Sequence, residues 1–468
     1  MSQKIQCELA VLGGGPGGYT AAFRAADLGK DVVLIERYPR IGGVCLNVGC
    51  IPSKTLLHAA ELAEAHHEGA AYGLEFPPPQ WNLQTLQAKK TEVVEKLTGG
   101  LASLAKARKV RILTGVGQFI SEKTLEVDGN DGRIQVEFES AIVAVGSRPV
   151  KLPFLPEDPR IWDSTDALEV KEIPPRLAVL GGGIIGLEMA QVYAALGSKV
   201  TIIEMLDQII PPADADLVRP LARVLKDKYE NIYTQTKLTS AKATKQGLVL
   251  SLEGKKAPEE LEVDALLVAV GRRPNGMGFG AQKAGVNVDE RGFVEVDEWL
   301  KTANPRIWAI GDVIGNPMLA HKAVHEAKAA AEAICGEKSA FAPMAIPSVA
   351  YTKPEVAWVG LTEKDAKKQG VDFVKGSFPW AASGRALSAD AQGMSKALFH
   401  PETHRLLGAA IVGERAGDLI AEAILAMEMG ADAQDISLTV HAHPTFAETF
   451  AFAAEMVDGS ITDALPPK

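Results

Sequence analysis

Residues 7–36, CELAVLGGGPGGYTAAFRAADLGKDVVLIE, decide the fold of this 468-residue chain. An apolar run leads into closely spaced glycines, an amphipathic stretch follows, and a second apolar run ends at Glu36. This order predicts a βαβ unit whose glycines let the backbone turn tightly from strand to helix. Gly13, Gly15 and Gly18 satisfy the G-x-G-x-x-G spacing, and an acidic residue at the position of Glu36 can bind ribose hydroxyls. The stretch therefore favours a dinucleotide site over a turn that is merely tight.

The same pattern returns at residues 176–204, RLAVLGGGIIGLEMAQVYAALGSKVTIIE. From the first glycine to the acidic residue the distance is 23 residues in both copies. We therefore expect two dinucleotide-binding modules in an α/β fold. Glu204 would accept hydrogen bonds from both ribose hydroxyls and repel a 2′-phosphate, which favours NAD over NADP in the second module. The fingerprint glycines of this copy are Gly181, Gly183 and Gly186.

Composition and charge exclude several classes of protein. Hydrophobic residues make up 47% and charged residues 23%, which is the balance of a globular protein. The formal net charge of -10 offers little to nucleic acid or to anionic membranes. The first residues carry no secretory or transit pattern, and each apolar run is too short to span a bilayer. We therefore expect a cytoplasmic protein that binds neither nucleic acid nor membrane.

The segment GGVCLNVGCIPSK, residues 42–54, carries two of the four cysteines, Cys45 and Cys50. On a regular helix five residues rise about 7.5 Å, whereas bridged Cα atoms lie about 4.4–6.8 Å apart. Gly49 provides the freedom for a local distortion, so a disulfide here would be strained and easily reduced. Two unrelated thiols, or half of a zinc site, are the alternatives. Zinc is disfavoured because no cluster of further ligands lies nearby, and no metal is expected.

The cysteine segment and the two fingerprints together resemble the FAD-dependent pyridine nucleotide–disulfide oxidoreductases along nearly the whole chain. The resemblance implies FAD in the first module and NAD in the second. It also implies that Asp312, in IWAIGD (307–312), binds the ribitol, and that Lys54 lies beside the flavin with Glu188 as its ion-pair partner. Taken alone, Lys54 and Glu188 could equally be solvated charges. The resemblance adds Gly117 and Ala320 to the FAD residues and Gly271 to the NAD residues.

The segment HAHPTFAETF, residues 441–450, has two interpretations. Thr445 and Glu448 have the spacing of a capping box that starts the following helix. Thiol exchange also needs a base, and a histidine oriented by a carboxylate fits that need. The resemblance implies that His443, held by Glu448, reaches the cysteines of the other subunit, so the protein is expected to be a homodimer.

We predict two Rossmann-like dinucleotide-binding domains and a C-terminal α+β dimerisation domain. The apolar strands that end AVGSRP and AVGRRP are expected to close each module where the chain crosses between domains. The expected order is an FAD-binding part (1–147), an NAD-binding domain (148–275), a second FAD-binding part (276–345) and the interface domain (346–468). Ala327 stands where the family usually has glycine, which bears on helix packing near the flavin.

Within the family the chain resembles the dihydrolipoamide dehydrogenases. The acidic Glu204 argues against the NADPH-dependent glutathione reductases, and the ending GSITDALPPK lacks the cysteine pair of mercuric reductases. The segment FPWAASGRA (378–386) is similar to one in the dihydrolipoamide dehydrogenases. The resemblance implies, as partners, lipoylated acyltransferases of 2-oxo acid dehydrogenase complexes, with the H protein of glycine cleavage as a further candidate. A reductase for a small thiol and a redox sensor without turnover stay open as alternatives.

Overall fold

The computed structural model describes residues 3–130 and 132–465, except the side chain of residue 67. The first βαβ unit consists of β1 (Gln3–Leu12), α1 (Pro16–Asp27) and β2 (Val32–Glu36), with the two strands parallel. Each of these strands is apolar and buried over the part that pairs with the other, as expected for a sheet covered on both faces. The predicted α/β class is confirmed from this unit onward.

The first sheet has the order β3-β2-β1-β6-β5-β4. Strand β6 runs parallel to β1 and antiparallel to β5, so a meander extends the parallel half. The remaining elements of this part of the chain are α2 (Gly43–Val48), α3 (Cys50–Gly69), α4 (Leu83–Ala107), β3 (Arg111–Thr114), β4 (Val116–Ser121), β5 (Thr124–Gly129), β6 (Gly132–Val143) and β7 (Ser147–Pro149).

The second sheet repeats the first design, with the parallel order β11-β10-β9-β15-β8. An antiparallel three-stranded sheet, β12-β13-β14, lies beside it in the chain. The elements are β8 (Ile161–Trp162), α5 (Ser164–Glu169), β9 (Arg176–Leu180), α6 (Ile184–Leu196), β10 (Lys199–Ile203), α7 (Ala215–Lys228), β11 (Asn231–Tyr233), β12 (Lys237–Ala243), β13 (Leu248–Glu253), β14 (Glu260–Val263), β15 (Ala265–Val268) and β16 (Arg272–Pro274).

Two short strands pair where the chain passes between the first and the second sheet. Strands β7 and β16, which follow the two repeated apolar runs of the sequence, pair with each other antiparallel. The chain then returns to the first sheet, where β17 (Ile307–Ala309) pairs parallel to β6. Helix α8 (Ala320–Ile334) packs closely on α1. The approach is so close that a Cβ added at Gly17 of α1 would lie 3.3 Å from the Cβ of Ala323. Ala327 is fully buried in this helix.

The C-terminal part is an antiparallel sheet, β18-β19-β22-β21-β20, with helices against it. None of the described helices combines the length and the apolar character needed to cross a membrane. The elements are β18 (Ser348–Ala350), β19 (Glu355–Gly360), α9 (Glu363–Gln369), β20 (Val374–Pro379), α10 (Gly384–Ser388), β21 (Met394–Phe399), β22 (Leu406–Gly413), α11 (Ala416–Met429), α12 (Ala433–Leu438) and α13 (Glu448–Asp458).

A buried charge cluster connects the second module to the C-terminal sheet. The Lys396 side chain is 2% exposed, and its Nζ donates to Asp214 Oδ2 (2.7 Å), Asp216 Oδ1 (2.7 Å) and Glu363 Oε1 (2.9 Å). Asp214 also accepts the backbone N–H groups of Glu363 and Lys364, at the first turn of α9. The three carboxylates are close enough together to hold a cation, and the Lys396 ammonium provides that charge.

Candidate active site

The two cysteines lie on either side of a break in one helical stretch. Cys45 is in α2, Cys50 is the first residue of α3, and Gly49 between them has φ -149° and ψ -116°. A Cβ at Gly49 would lie 2.8 Å from the carbonyl oxygen of Val44, so the break needs glycine. The distortion predicted at Gly49 is therefore present. The two side chains are free thiols joined by a hydrogen bond.

The environment divides the charge unequally between the two sulfurs. The hydrogen bond from the Cys45 thiol lowers the pKa of Cys50 to about 7; burial opposes this effect and the Lys54 charge adds to it. The same hydrogen bond, together with burial, raises the pKa of Cys45. Cys50 is therefore the more acidic thiol of the pair. The Cys50 residue is exposed to solvent, although many protein atoms lie near its sulfur.

Lys54, one turn after Cys50 on α3, forms an ion pair with Glu188 of α6. Its Nζ donates to the two carboxylate oxygens at 3.0 and 2.8 Å. Glu188 is buried, and it also accepts the Ser53 hydroxyl at 2.9 Å and the backbone N–H of Tyr351 at 3.2 Å. A buried carboxylate needs such partners. The pair therefore joins the cysteine helix, the second module and the C-terminal part.

The glycine turns of both modules have one backbone shape. Gly13 and Gly181 have φ of 108° and 109°, where glycine is strongly favoured. A Cβ at Gly18 would lie 1.7 Å from the carbonyl oxygen of Gly13, and one at Gly186 would lie 2.1 Å from that of Gly181. Only glycine therefore permits the close approach of helix and strand that the fingerprint predicts.

The N-termini of α1 and α6 are open toward an anion. Their N-cap residues, Gly15 and Gly183, provide no capping side chain, so first-turn N–H groups have no side-chain acceptor. A Cβ at Gly183 or at Gly271 would meet no atom within 4 Å, and at Gly15 it would meet only the Gly43 Cα, at 3.8 Å. Such space beside unpaired N–H groups fits the pyrophosphate of a dinucleotide.

The acidic residue at the end of each second strand is oriented by the glycine turn. Glu36 Oε2 accepts the backbone N–H of Gly14 and Glu204 Oε2 accepts that of Gly182, both at 2.7 Å. In each case the other oxygen accepts the N–H two residues further on, at 3.0 and 2.8 Å. Both side chains are buried. Tyr38, two residues after Glu36, lines part of a cavity of about 340 Å³. The remaining lone pairs of these carboxylates fit ribose hydroxyls.

Asp312 follows β17 and belongs to a partly buried chain of polar side chains. The Ser147 hydroxyl donates to Asp312 Oδ2 at 2.5 Å, and Arg272 Nε donates to the same hydroxyl at 2.7 Å. Burial lowers the pKa of Arg272, while the charges of Asp312 and Cys50 oppose that shift. Ser147 and Arg272 were not among the residues predicted from the sequence. The repeated AVG-plus-basic motif, in which both residues lie, was the signal for them.

The remaining predicted cofactor residues are Gly117 and Ala320, for FAD, and Gly271, for NAD. A Cβ at Gly117, in β4, would lie 2.6 Å from the Leu12 side chain and 3.0 Å from that of Ile35, at the carboxyl ends of β1 and β2. Ala320 is the first residue of α8. Gly271 lies between β15 and β16, with φ of 121°.

His443 and Glu448 form a pair, and only half of the predicted capping box is present. Helix α13 begins at Glu448 with Ala447 as its N-cap, and the Thr445 hydroxyl donates to the carbonyl of Ala442. The Thr445 side chain therefore does not cap the helix. Glu448 Oε1 lies 2.8 Å from His443 Nδ1, and its other oxygen accepts the Thr445 N–H at 2.6 Å. The His443 side chain is 79% exposed in the single chain.

A second histidine–carboxylate pair anchors the same segment and was missed from the sequence. His441 Nε2 lies 2.6 Å from Glu422 Oε1 of α11, and its Nδ1 lies 2.8 Å from the carbonyl oxygen of Thr439. The hydrogen bond to Glu422 raises the pKa of His441, against the effect of burial. His441 is therefore held in place, whereas His443 points outward.

Family profiles match almost the whole chain. The profile of the pyridine nucleotide-disulphide oxidoreductases matches residues 7–327, and that of their dimerisation domain matches residues 346–454. The chain belongs to this family. The predictions of family, fold class, and FAD and NAD(H) as cofactors are thereby confirmed, and the second match supports a homodimer.

Curated relatives cover the chain from end to end. The dihydrolipoyl dehydrogenase of Vibrio cholerae is 55% identical over 99% of this chain and 98% of its own length. The enzymes of that name from Haemophilus influenzae and Thermus scotoductus are 53% and 47% identical, over 99% and 96% of this chain and 97% and 96% of their own lengths.

Solved structures agree with the fold. The Cu(II) complex of RclA, an HOCl-induced flavoprotein disulfide reductase from Escherichia coli, has a TM-score of 0.86 at 29% identity. That comparison covers 97% of this chain and 100% of the other. LpdA from Mycobacterium tuberculosis has a TM-score of 0.89 at 23% identity and covers 97% and 99%, which shows the shared fold.

Proposed function

We propose that the chain oxidises protein-bound dihydrolipoyl groups and reduces NAD⁺, the activity for which its curated relatives are named. The observation that carries the proposal is the hydrogen-bonded pair Cys45–Cys50, in which Cys50 has the lowered pKa and lies in the field of Lys54. A dithiol with one thiolate is the reduced product that thiol–disulfide exchange leaves behind.

The exchange balances in two steps that begin from the Cys45–Cys50 disulfide. A dihydrolipoyl thiol loses its proton to His443 of the second subunit, and the thiolate attacks Cys45 and displaces Cys50 as a thiolate. The second lipoyl thiol then attacks the mixed disulfide, the lipoyl disulfide leaves, and Cys45 takes up a proton. The lipoyl group loses two electrons and the cysteine pair gains them.

Cys50 is the better leaving group because its pKa is the lower of the two. Lys54 stabilises the departing thiolate, and Glu188 holds the Lys54 ammonium in place. Bound FAD and NAD⁺ would supply the two-electron chemistry that carries the electrons away. We assign Gly13, Gly15, Gly18, Glu36, Lys54, Gly117, Asp312 and Ala320 to FAD, and Gly181, Gly183, Gly186, Glu204 and Gly271 to NAD.

The geometry of His443 supports its role as the base. Its Nδ1–H donates to Glu448, which leaves Nε2 free to take a proton and places a carboxylate where it stabilises the imidazolium. The exposed ring is available to a second copy of the chain, as an active site shared across a dimer requires.

We propose that the chain divides into domains at residues 1–147, 148–275, 276–345 and 346–468, because β7 and β16 pair where the chain crosses between the two parallel sheets.

The proposed partners are lipoylated acyltransferases of 2-oxo acid dehydrogenase complexes, with the glycine cleavage H protein in the same chemical class. The proposed location is the cytoplasm.

The test is substitution of each cysteine in the FAD-loaded protein. Cys45→Ser and Cys50→Ser are expected to lower lipoamide turnover at least about 1,000-fold because each removes a sulfur that forms a bond in the exchange. Flavin content and NADH oxidation by ferricyanide are expected to remain. Cys335→Ser, a thiol outside the site, is the matched control. Lipoamide turnover in either site variant contradicts the proposal, and glutathione disulfide as a better substrate supports a small-thiol reductase.

A further inference from the structure

Tyr351 contacts both members of the Lys54–Glu188 pair. It follows β18 of the C-terminal sheet, and the Lys54 Nζ lies 4.3 Å from the centroid of its ring. Its backbone N–H donates to Glu188 Oε1 at 3.2 Å. A cation at this distance from an aromatic face is attracted by the ring quadrupole. One residue of the C-terminal part therefore meets the ammonium through its side chain and the carboxylate through its backbone.

The ring of Tyr351 lies close to the first turn of α11, although the residue is 39% exposed. A Cβ at Gly417, in the first turn of α11, would lie 3.4 Å from the ring and 3.2 Å from the carboxylate of Glu355. Burial raises the pKa of Tyr351, and the charges of Glu355 and Cys50 add to the shift. The ring thus lies close both to the start of α11 and to the Lys54 ammonium.

Lys54 needs such a contact because its side chain is 35% exposed and has a long flexible stem. Glu188 attracts the ammonium from one direction. Without a second restraint, the ammonium could rotate into solvent while it still touched Glu188, and its charge would then act less on Cys50.

We propose that Tyr351 is a positioning residue whose ring keeps the Lys54 ammonium directed at Cys50. The contact between Lys54 and Tyr351 joins the cysteine helix of the first module to the C-terminal part of the chain, which also contains His443. The inference concerns the thiol site itself, and its effect on turnover rests on the function proposed above.

The experiment compares Tyr351→Leu with Tyr351→Phe, which keeps the ring and removes only the hydroxyl. The reduced, FAD-loaded proteins are alkylated with iodoacetamide across a pH series, and modified Cys50 is quantified by mass spectrometry. We expect the midpoint for Cys50 to rise by about 0.5–1 pH unit in the Leu variant, part of the shift that a nearby charge causes. The Phe variant is expected to match the native protein, and Lys54→Met gives the shift for complete loss of the charge.

An unchanged midpoint in the Leu variant overturns the proposal, and so does an equal shift in the Phe variant, because the hydroxyl would then be responsible. Tyr351→Met serves in place of Leu if flavin content shows that the Leu variant misfolds. Lipoamide turnover in the Leu variant is expected to fall several-fold, with KM for NAD⁺ unchanged. If the native protein does not turn over lipoamide but the midpoints still shift as expected, the proposed function fails and the positioning role stands.

Discussion

The glycine turns after β1 and β9 share their backbone and differ in what lies over it. Their first glycines have φ of 108° and 109°, and Glu36 and Glu204 each accept an N–H of the turn at 2.7 Å. In both modules a backbone N–H from the segment after the second strand donates to the carbonyl of the second glycine, from Gly42 to Gly14 at 2.7 Å and from Ile210 to Gly182 at 2.8 Å. In the first module, however, a Cβ at Gly15 would lie 3.8 Å from the Gly43 Cα at the start of the cysteine helix. No described protein atom lies within 4 Å of the Cβ position at Gly183 in the second module.

The difference fits the proposed assignment of the two cofactors. With FAD in the first module and NAD in the second, the contact with the cysteine segment would favour retention of FAD, whereas the more open turn would let NAD exchange in each cycle. The segment that follows the second strand would then distinguish the two uses of one glycine fingerprint.

Gly43→Ala against Gly183→Ala tests this comparison with the largest expected effect. Gly43 has φ of 58°, and a Cβ there would lie 2.5 Å from the Gly15 Cα, so the start of the cysteine helix must move. The backbone strain alone costs about 1–3 kcal/mol. We expect Gly43→Ala to lose bound flavin and turnover. Gly183→Ala is expected to keep its flavin and melting temperature while KM for NADH rises several-fold. Equal flavin loss in both variants, measured by absorbance after gel filtration, argues against the distinction.

The modules also differ in how they are attached, which Lys396→Met tests. Helix α1 packs on α8 through small residues, whereas the second module meets the C-terminal sheet through Lys396 and its three carboxylates. Removing the ammonium takes the lysine partner from the buried Asp214 and leaves Asp216 and Glu363 only the more exposed Lys375, at a cost of about 3–5 kcal/mol. Lys375→Met, at a side chain that is 38% exposed beside the same cluster, is expected to cost less than about 1 kcal/mol. Equal melting temperatures of the two variants would show that the cluster does not anchor the module.

Glu204→Gln and Glu36→Gln sharpen the assignment of the two cofactors. Glu204→Gln removes a charge that repels a 2′-phosphate, so the ratio of kcat/KM for NADH to that for NADPH is expected to fall about tenfold, the scale of one charged hydrogen bond. Glu36→Gln is expected to weaken flavin retention and to leave KM for NADH unchanged. The opposite pattern in steady-state kinetics would mean that the nucleotides occupy the modules in reverse order.

Local patterns predicted the parts of the site that are close in sequence. The glycine turns, the acidic residues 23 positions later and the break at Gly49 follow from backbone rules that act over a few residues. The ion pair of Lys54 with Glu188, 134 positions apart, was predicted only through the family resemblance. Other residues joined by tertiary contact were missed. Tyr351 is 163 positions from Glu188, and Lys396 is 182 positions from Asp214, so neither spacing carries a signal.

The capping box is only half formed, for a related reason. Its spacing is correct and Glu448 accepts the Thr445 N–H, but the Thr445 hydroxyl donates to the carbonyl of Ala442 and the helix starts at Glu448 itself. A motif spacing indicates which groups can meet, whereas competition among nearby partners decides which of them do.

The smallest expected effect is the pH dependence of the Lys396→Met difference. Burial raises the pKa of Asp216, but the contacts with Lys396 and Lys375 outweigh it and the net shift is downward. Its stabilising contribution is therefore present above its unfolded pKa of about 3.9 and is lost as the pH falls through the lower folded value.

Burial lowers the pKa of Lys396, but its three carboxylate contacts raise it overall. That contribution is present below the unfolded pKa of about 10.4 and is lost as the pH rises through the higher folded value.

In Lys396→Met the sign of the acid effect reverses, because protonation of the unpaired carboxylates relieves their repulsion. The melting-temperature difference from the native protein is therefore expected to be largest near neutral pH and to narrow by the equivalent of about 1 kcal/mol toward pH 4. Lys375→Met should show a difference that stays nearly constant over the same range, since its exposed charge is screened by solvent. A gap that widens on acidification would mean that the carboxylates are not paired with Lys396 in solution, and the second module would then need another anchor.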